Sequence, residues 1–456
     1  MAKGRLSFEY EVDDKADSVT AWGGLPLVAE VLAALGVDDS VRRNVHLRKG
    51  HREFDAASLV KAAVLMMAAG GDCLDDINIL REDTALCRLL GSRLPSAETL
   101  REFLYGFHED VLVEIAQEEA KQAGLLSYIP EESERLRGLA VVMTDFIQAA
   151  ARRWPQETAT IDIDATLQES HKREAKTHYQ GGRGYQPTVA TWVEADLVVA
   201  DQFRDGNVPA HMDALRVLKH AFAALPSSVK HRLMRGDSAL CTSEVLGWLC
   251  SEKIEFAVGG ETSKAFRASC AAVPASDWVK VEDRTDSELH VADVPALTGM
   301  MQQLPVRVIA VRVTPRQTTL FGEADAPTYF SIVTNRTLPA ETVARWYWQK
   351  GGTIEHVHAV VKNELGGGTL PCGRFGANAA WFRLVLLTYN VLRVVRHTGP
   401  DDLKNARPKR LRLNLLALPT VVARHARQLI ARVANRLKRG AALLASRNAL
   451  WALEPA

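Results

Sequence analysis

Three acidic residues stand where the chain ends or turns an element: Asp164 in TIDIDAT (160–166), Asp237 closing the run RLMRGD, and Glu355 in KGGTIEHVHAVVKNELGGG. In TIDIDAT apolar and acidic side chains alternate. A strand sends successive side chains to opposite faces, so Ile161, Ile163 and Ala165 share one face and Asp162 and Asp164 the other. A carboxylate at the C-terminal edge of a strand points into the crevice where α/β proteins hold ligands. Three carboxylates converging there repel one another unless cations neutralise them. Hard oxygen ligands in an incomplete cage suit Mg²⁺, with Mn²⁺ as the expected substitute; Mg²⁺ keeps waters and takes substrate phosphate as its remaining ligands. Two such ions about 3.5–4 Å apart stabilise both the attacking and the leaving oxygen of a phosphodiester displacement.

Each acid also has a purely structural explanation. Asp164 fits the exposed face of an edge strand, and Gly236-Asp237 fits turn chemistry. Glu355 follows Thr353, a candidate N-cap, where the helix dipole favours negative charge. No spacing rule joins acids so far apart, so the residues alone leave both explanations open. At 100° per residue Glu355, His358 and Lys362 share a helix face, which offers a metal ligand and a cation able to reach phosphate. Glu355-x-x-His358 also matches half of a di-iron bundle motif, but the nearest other candidate, Glu53 after His51, has the wrong order and spacing.

The elements that must position these residues differ along the chain. The 456 residues are 47% hydrophobic and 24% charged, ordinary for a globular protein and too long for one compact core. Residues 1–155 read as a helical region: LPLVAEVLAALG and AASLVKAAVLMMAAG carry apolar residues at three- and four-residue spacing, and Ser96 is placed to N-cap AETLREFLYGF. From 156 to 262, β-type runs (TATIDIDAT, QPTVATWVEA, DLVVADQF, RLMRGD, IEFAVGG) alternate with helical MDALRVLKHAFAAL and TSEVLGWLCSE, predicting a mixed sheet flanked by helices. Residues 263–326 add further strand candidates, residues 327–400 return to long helices at 339–365 and 376–397, and 401–456 reads as a basic helical segment.

The formal net charge of +1 hides an asymmetry. Residues 1–150 carry 26 acidic against 16 basic side chains, whereas Leu403 to Leu453 holds 12 Lys/Arg and no acid. An acid-free basic segment faces either solvent or a polyanion, nucleic acid being the commonest. Its Arg410 and Arg412, with Arg42, Arg43, Arg48 and Lys49 in the cluster RRNVHLRKGHR, are the candidate DNA contacts. No apolar run reaches the roughly 18 residues of a membrane span, and the start lacks a signal-peptide stretch. The six cysteines form no C-x-x-C pair, so neither zinc ribbon nor disulfide framework is signalled. The expectation is a cytoplasmic, nucleoid-associated protein.

The order IDIDAT, RGDSALC, YFSIVTN, YWQKGGTIEHVHAVVKNELGGG and FGANAAWFRLVLLTYNVL resembles a DDE transposase of a bacterial insertion sequence. It is most similar to the group named after insertion sequence 1380, in the branch whose third acid sits in a Tyr-x2-Arg-x3-Glu-x6-Lys signature. DINILREDTALCRLLGSRLPSAETLREFL is similar to that group's helical region. The resemblance implies a ribonuclease H-like α/β core interrupted by a mainly β insertion, with Asp164, Asp237 and Glu355 as catalytic, metal-binding acids and Lys362 on the DNA backbone. It further implies cleavage at terminal inverted repeats, strand transfer into target DNA, and a homodimer or larger assembly pairing two ends. The signature departs at two positions: Trp348 stands for its tyrosine and Gly351 for its arginine, with Tyr347 and Lys350 one residue away. In the family those positions help to hold the DNA end, so a one-residue slip is expected to restore part of their role through Tyr347 and Lys350. Trp348 fits either stacking on a displaced base or packing in the core. Two other readings remain: a transposase-derived protein that binds DNA without cutting, and a ribonuclease H-like nuclease or resolvase.

Overall fold

The computed structural model describes residues 17–46, 53–295, 303–316 and 326–452, so Arg48 and Lys49 lie outside the described residues. After a short strand β1 (Val19–Thr20) come helices, among them Pro26–Ala34, Val37–Asn44, Ala56–Ala69, Thr84–Leu90, Ala97–Tyr105 and Glu134–Arg153. Local chemistry sets their ends. Asp55 Oδ1 accepts from Ser58 N at 2.8 Å to open the 56–69 helix, and Gly70 closes it at φ +103°, a conformation that suits a residue without Cβ. Ser96 caps the 97–105 helix through Thr99 N at 3.2 Å, as its position predicts. These helices pack around the Phe375–Thr398 helix, almost wholly buried over its 24 residues.

The strands that follow are β2 (Thr158–Ala165), β3 (Gln168–Glu169), β4 (Lys176–Thr177), β5 (Arg183–Tyr185), β6 (Thr188–Trp192), β7 (Leu197–Gln202), β8 (His231–Gly236), β9 (Glu255–Gly260), β10 (Val279–Asp283), β11 (Ser287–Val294), β12 (Arg307–Pro315) and β13 (Thr328–Thr334). All but β3, β4 and β5, which make a small sheet of their own, join one nine-stranded sheet, counted among the described residues, in the order β10-β11-β12-β13-β9-β8-β2-β6-β7. Strand β2 is parallel to β8, β8 is parallel to β9, and the remaining neighbours are antiparallel. The strands of 263–326 therefore extend the central sheet as an antiparallel meander.

Strand β2 lies inside the sheet, third from one edge, and is covered on both faces. Residues 159–163 are all buried, Asp162 at 0% exposure. One face packs Ile161 and Ile163 into a cluster with the Ala214–Ala223 and Ser243–Ser251 helices. The Lys350–Glu364 helix crosses the other, where Thr353 and Lys350 meet Asp162 and Asp164.

The expected basic helical end needs correction. After the Pro408–Leu411 helix the chain forms an antiparallel hairpin, β14 (Thr420–His425) and β15 (Gln428–Val433), before the Arg439–Ala452 helix. Pairing of β14 with β1 and burial of Thr420 and Val422 favour the strand over the helical propensity of its arginines.

Candidate active site

The register of two strands builds the centre of the site. Asp162 on β2 stands directly beside Arg235 on parallel β8, 73 residues later. The ladder ends there, and just beyond it Asp164 at the end of β2 and Asp237 after β8 lie close enough for the charge of one to act on the other. The first pair is a salt bridge, with Arg235 Nε 2.7 Å from Asp162 Oδ1 and Nη2 2.8 Å from Oδ2, both side chains at most 1% exposed. The second is a pair of like charges at the strand ends. Burial, and the Asp164 carboxylate beside it, push the Asp237 carboxyl up. Asp237 also caps the 238–240 turn through Ala239 N at 3.1 Å, so its turn chemistry and its place in the site coexist.

A broken helix covers this edge. Residues 339–365, expected as one helix, form Ala340–Trp348 and Lys350–Glu364 with a break at Gln349. Arg235 explains part of the break: its Nη1 donates to Trp346 O at 2.7 Å and reaches Gln349 Oε1 at 3.4 Å, engaging the last turn of the first helix. The break directs two side chains inward. Lys350 Nζ lies 3.2 Å from Asp164 Oδ2, and the Tyr347 phenol is pushed up to about 12 by burial and by Asp237 and Asp164. Gly259 makes room, since a Cβ there would stand 3.2 Å from Tyr347 Oη and 3.0 Å from Ser238 N. Thr353 donates to Asp162, so it is no N-cap. His358 faces Asp164 with both ring nitrogens lacking a hydrogen-bond partner among the described residues, and burial lowers it to about 4, a neutral imidazole.

Glu355 lies on this helix between Thr353 and His358 but is exposed, and no hydrogen bond or ion pair joins it to either aspartate among the described residues. The aspartates supply hard oxygen donors with excess negative charge, which fits a divalent cation; Lys350 meets part of that demand. Among the described residues the cluster with all ligand atoms within 4.8 Å is a different one, Asp72, Cys73 and Asp76, at a helix start.

The expected DNA contacts fall into distinct places. Lys362 is exposed, its Nζ 3.4 Å from Leu167 O. Lys350 points into the site, and Trp348 is half-buried against the small core under β10 to β13. Arg42 is paired with Asp39 and Asp55, and Arg43 with Asp145. Arg410 is exposed. The guanidinium of Arg412 bonds Ala68 O at 3.0 Å and Glu364 O at 3.2 Å, holding the 56–69 and 350–364 helices together. Sequence reasoning missed the pairing of Arg235; its one trace is that RGD and IDID share the spacing Arg-x-Asp against Asp-x-Asp.

Comparison with known proteins completes the picture. A family model described as transposase DDE domain group 1 matches residues 7–454. A solved structure of piggyBac transposase, in a synaptic complex with hairpin DNA, is similar at 11% identity and a TM-score of 0.43, over 85% of this chain and 76% of that one. A search of curated proteins finds no match.

Proposed function

The chain belongs to the DDE transposase domain group 1 family, and on that premise we propose that it is the transposase of a bacterial insertion sequence of group 1380, acting in the cytoplasm on nucleoid DNA. It binds the terminal inverted repeats of its own element, cuts there, and joins the freed 3′-hydroxyl to target DNA. The observation that supports this reading is the proximity of Asp164 and Asp237 just beyond the β2–β8 ladder, with the helix that bears Glu355 meeting β2 at Asp162 and Asp164. Strands β2, β6 and β7 run as an antiparallel meander, with β8 and β9 parallel to β2, which supports a ribonuclease H-like core.

Asp164, Asp237 and Glu355 would hold Mg²⁺ or Mn²⁺, which supplies an activated water and neutralises charge on the scissile phosphate. The chain's own residues do the positioning. The buried Arg235–Asp162 pair fixes the strand edge, and Thr353 ties the covering helix to it. Lys350 and Tyr347 take the places of the signature arginine and tyrosine through the one-residue slip at the Gln349 break. Lys362, on the exposed side of the helix, meets the DNA backbone. Such displacement needs positioning and charge neutralisation rather than a covalent nucleophile. Two protomers pairing two ends complete the proposal.

One observation favours a second reading, a protein that binds without cutting: Lys350 pairs with Asp164 while Glu355 points to solvent. Incubation with the element's ends and Mg²⁺ separates the two. Nicked and joined products are expected from the wild type. Asp164→Asn, Asp237→Asn and Glu355→Gln should each abolish both products and leave the gel shift of the ends in place. Binding without any nick by the wild type would establish the second reading, and full activity in one variant would remove that residue from the site.

A further inference from the structure

The arginines of the C-terminal segment divide into two groups. Arg407 pairs with Glu364, Arg439 with Asp402 and Arg447 with Glu30, and Arg412 bonds two carbonyls. Arg424, Arg427 and Arg432, all on the β14–β15 hairpin, are exposed, and their side chains have no ion-pair or hydrogen-bond partner among the described residues. The exposed Lys409, Arg410, Arg436 and Lys438 nearby likewise have no side-chain partner among the described residues, so the hairpin carries three of the segment's seven unpartnered cations and sets them on a two-stranded ribbon.

The geometry of the hairpin gives that charge a direction. Residues opposed across an antiparallel ladder share a face, so Arg424 with Leu429 lies on one face and Arg432 with Val421 on the other. Arg427 sits at the tip. The two loop residues, Ala426 and Arg427, have φ of 48° and 67°, as in the tight type I′ loop that glycine, asparagine and aspartate fill most easily. A charged side chain is therefore kept at a tip where glycine fits with less strain. The base is firm: β14 pairs with β1, and Thr420 and Val422 are buried.

We propose that the β14–β15 hairpin is an arm that enters the major groove of duplex DNA tip first, with Arg424 and Arg432 on the phosphates of the two walls and Arg427 at the base edges. A two-stranded ribbon fits a groove about 12 Å wide, and cations on opposite faces match phosphate strands on opposite sides. This inference rests on the reading of the chain as a transposase acting on DNA.

The test uses the full chain and a short duplex of generic sequence, with binding measured across a salt series and guanine N7 methylation used as a major-groove footprint. The triple variant Arg424→Gln, Arg427→Gln, Arg432→Gln should lower the slope of log affinity against log salt by roughly 2, at about 0.9 for each of the two lost phosphate contacts, and should lose N7 protection. Replacing the same three with Lys should restore the slope, which a folding defect would not allow. Arg427→Gly should unfold at the same or a higher temperature than wild type yet bind DNA less tightly. Unchanged slope and footprint in the triple variant would overturn the arm while leaving the transposase reading intact. A wild-type chain that binds no duplex at any salt would overturn both.

Discussion

Asp162 and Asp164 stand two residues apart on one strand and have opposite fates. Asp162 is neutralised by Arg235 and closed to solvent, whereas Asp164 faces another acid, and among the described residues Lys350 is the one cation that pairs with it. The cost falls on Asp237. Its carboxyl is raised above the ordinary range, chiefly by burial and then by Asp164, so the folded state holds that proton more tightly than the unfolded chain does. The metal-free protein should accordingly lose stability as pH rises from the ordinary carboxylate range through the raised value. Asp237→Asn should remove that loss, raising Tm by roughly 1–3 °C at neutral pH, and should abolish any further rise on adding Mn²⁺. Differential scanning calorimetry in both conditions checks this; a lower Tm in the variant would count against a strained acidic pair. The acids were legible in the sequence because carboxylates at strand ends are conspicuous. Arg235 was not, because its role depends on which strands become neighbours and at what offset, and the signature and helical pattern that singled out Tyr347 and His358 could not show that both turn toward the aspartates.

At the scale of elements, the break at Gln349 decides which side chains reach the acids. A continuous helix through 339–365 would carry Trp348 and Gly351 in the signature's frame; the break brings Tyr347 and Lys350 inward instead. Lys350 then competes with an incoming cation for Asp164. Lys350→Met should tighten Mn²⁺ binding, measured by titration calorimetry, by roughly three- to tenfold, up to about 1.4 kcal/mol, while lowering Tm in the absence of metal. Weaker binding would instead make Lys350 part of the metal's support. The residue pattern revealed β2, β6 to β10, β12 and β13 and the 214–223 and 243–251 helices, because short β-branched, apolar runs and the helical apolar period are both distinct in this stretch. The break was hidden because its cause, a guanidinium on the carbonyl of Trp346, comes from a strand more than a hundred residues away. The C-terminal hairpin was hidden because VVARHARQLIARV serves helix or strand alike until β1 offers a partner.

At the scale of the whole molecule, one buried cation joins the three regions that surround the sheet. Arg383 on the 375–398 helix bonds Glu132 ahead of the 134–153 helix at 2.7 Å, Asp201 on β7 at 2.8 Å and Leu136 O at 2.7 Å. Two carboxylates and a carbonyl lose their partner if it is removed. Arg383→Ala should destabilise the fold by about 3–5 kcal/mol, visible as a lower urea midpoint; a change under about 1 kcal/mol would show that the three regions hold together without it. The sheet runs unbroken across the expected boundaries at 262–263 and 326–327, because hydrogen-bonding edges extend wherever another strand can add.

The common offset between β2 and β8 makes catalytic competence inseparable from correct assembly. A slip of one residue would part Arg235 from Asp162 and bury both charges alone, so a misthreaded chain would unfold before it could offer misplaced acids to DNA. Residues added or removed between the two strands leave that alignment untouched, while a single one inside either strand ends it. If the chain cuts DNA as proposed, such a mechanical interlock would guard against indiscriminate damage by half-made copies.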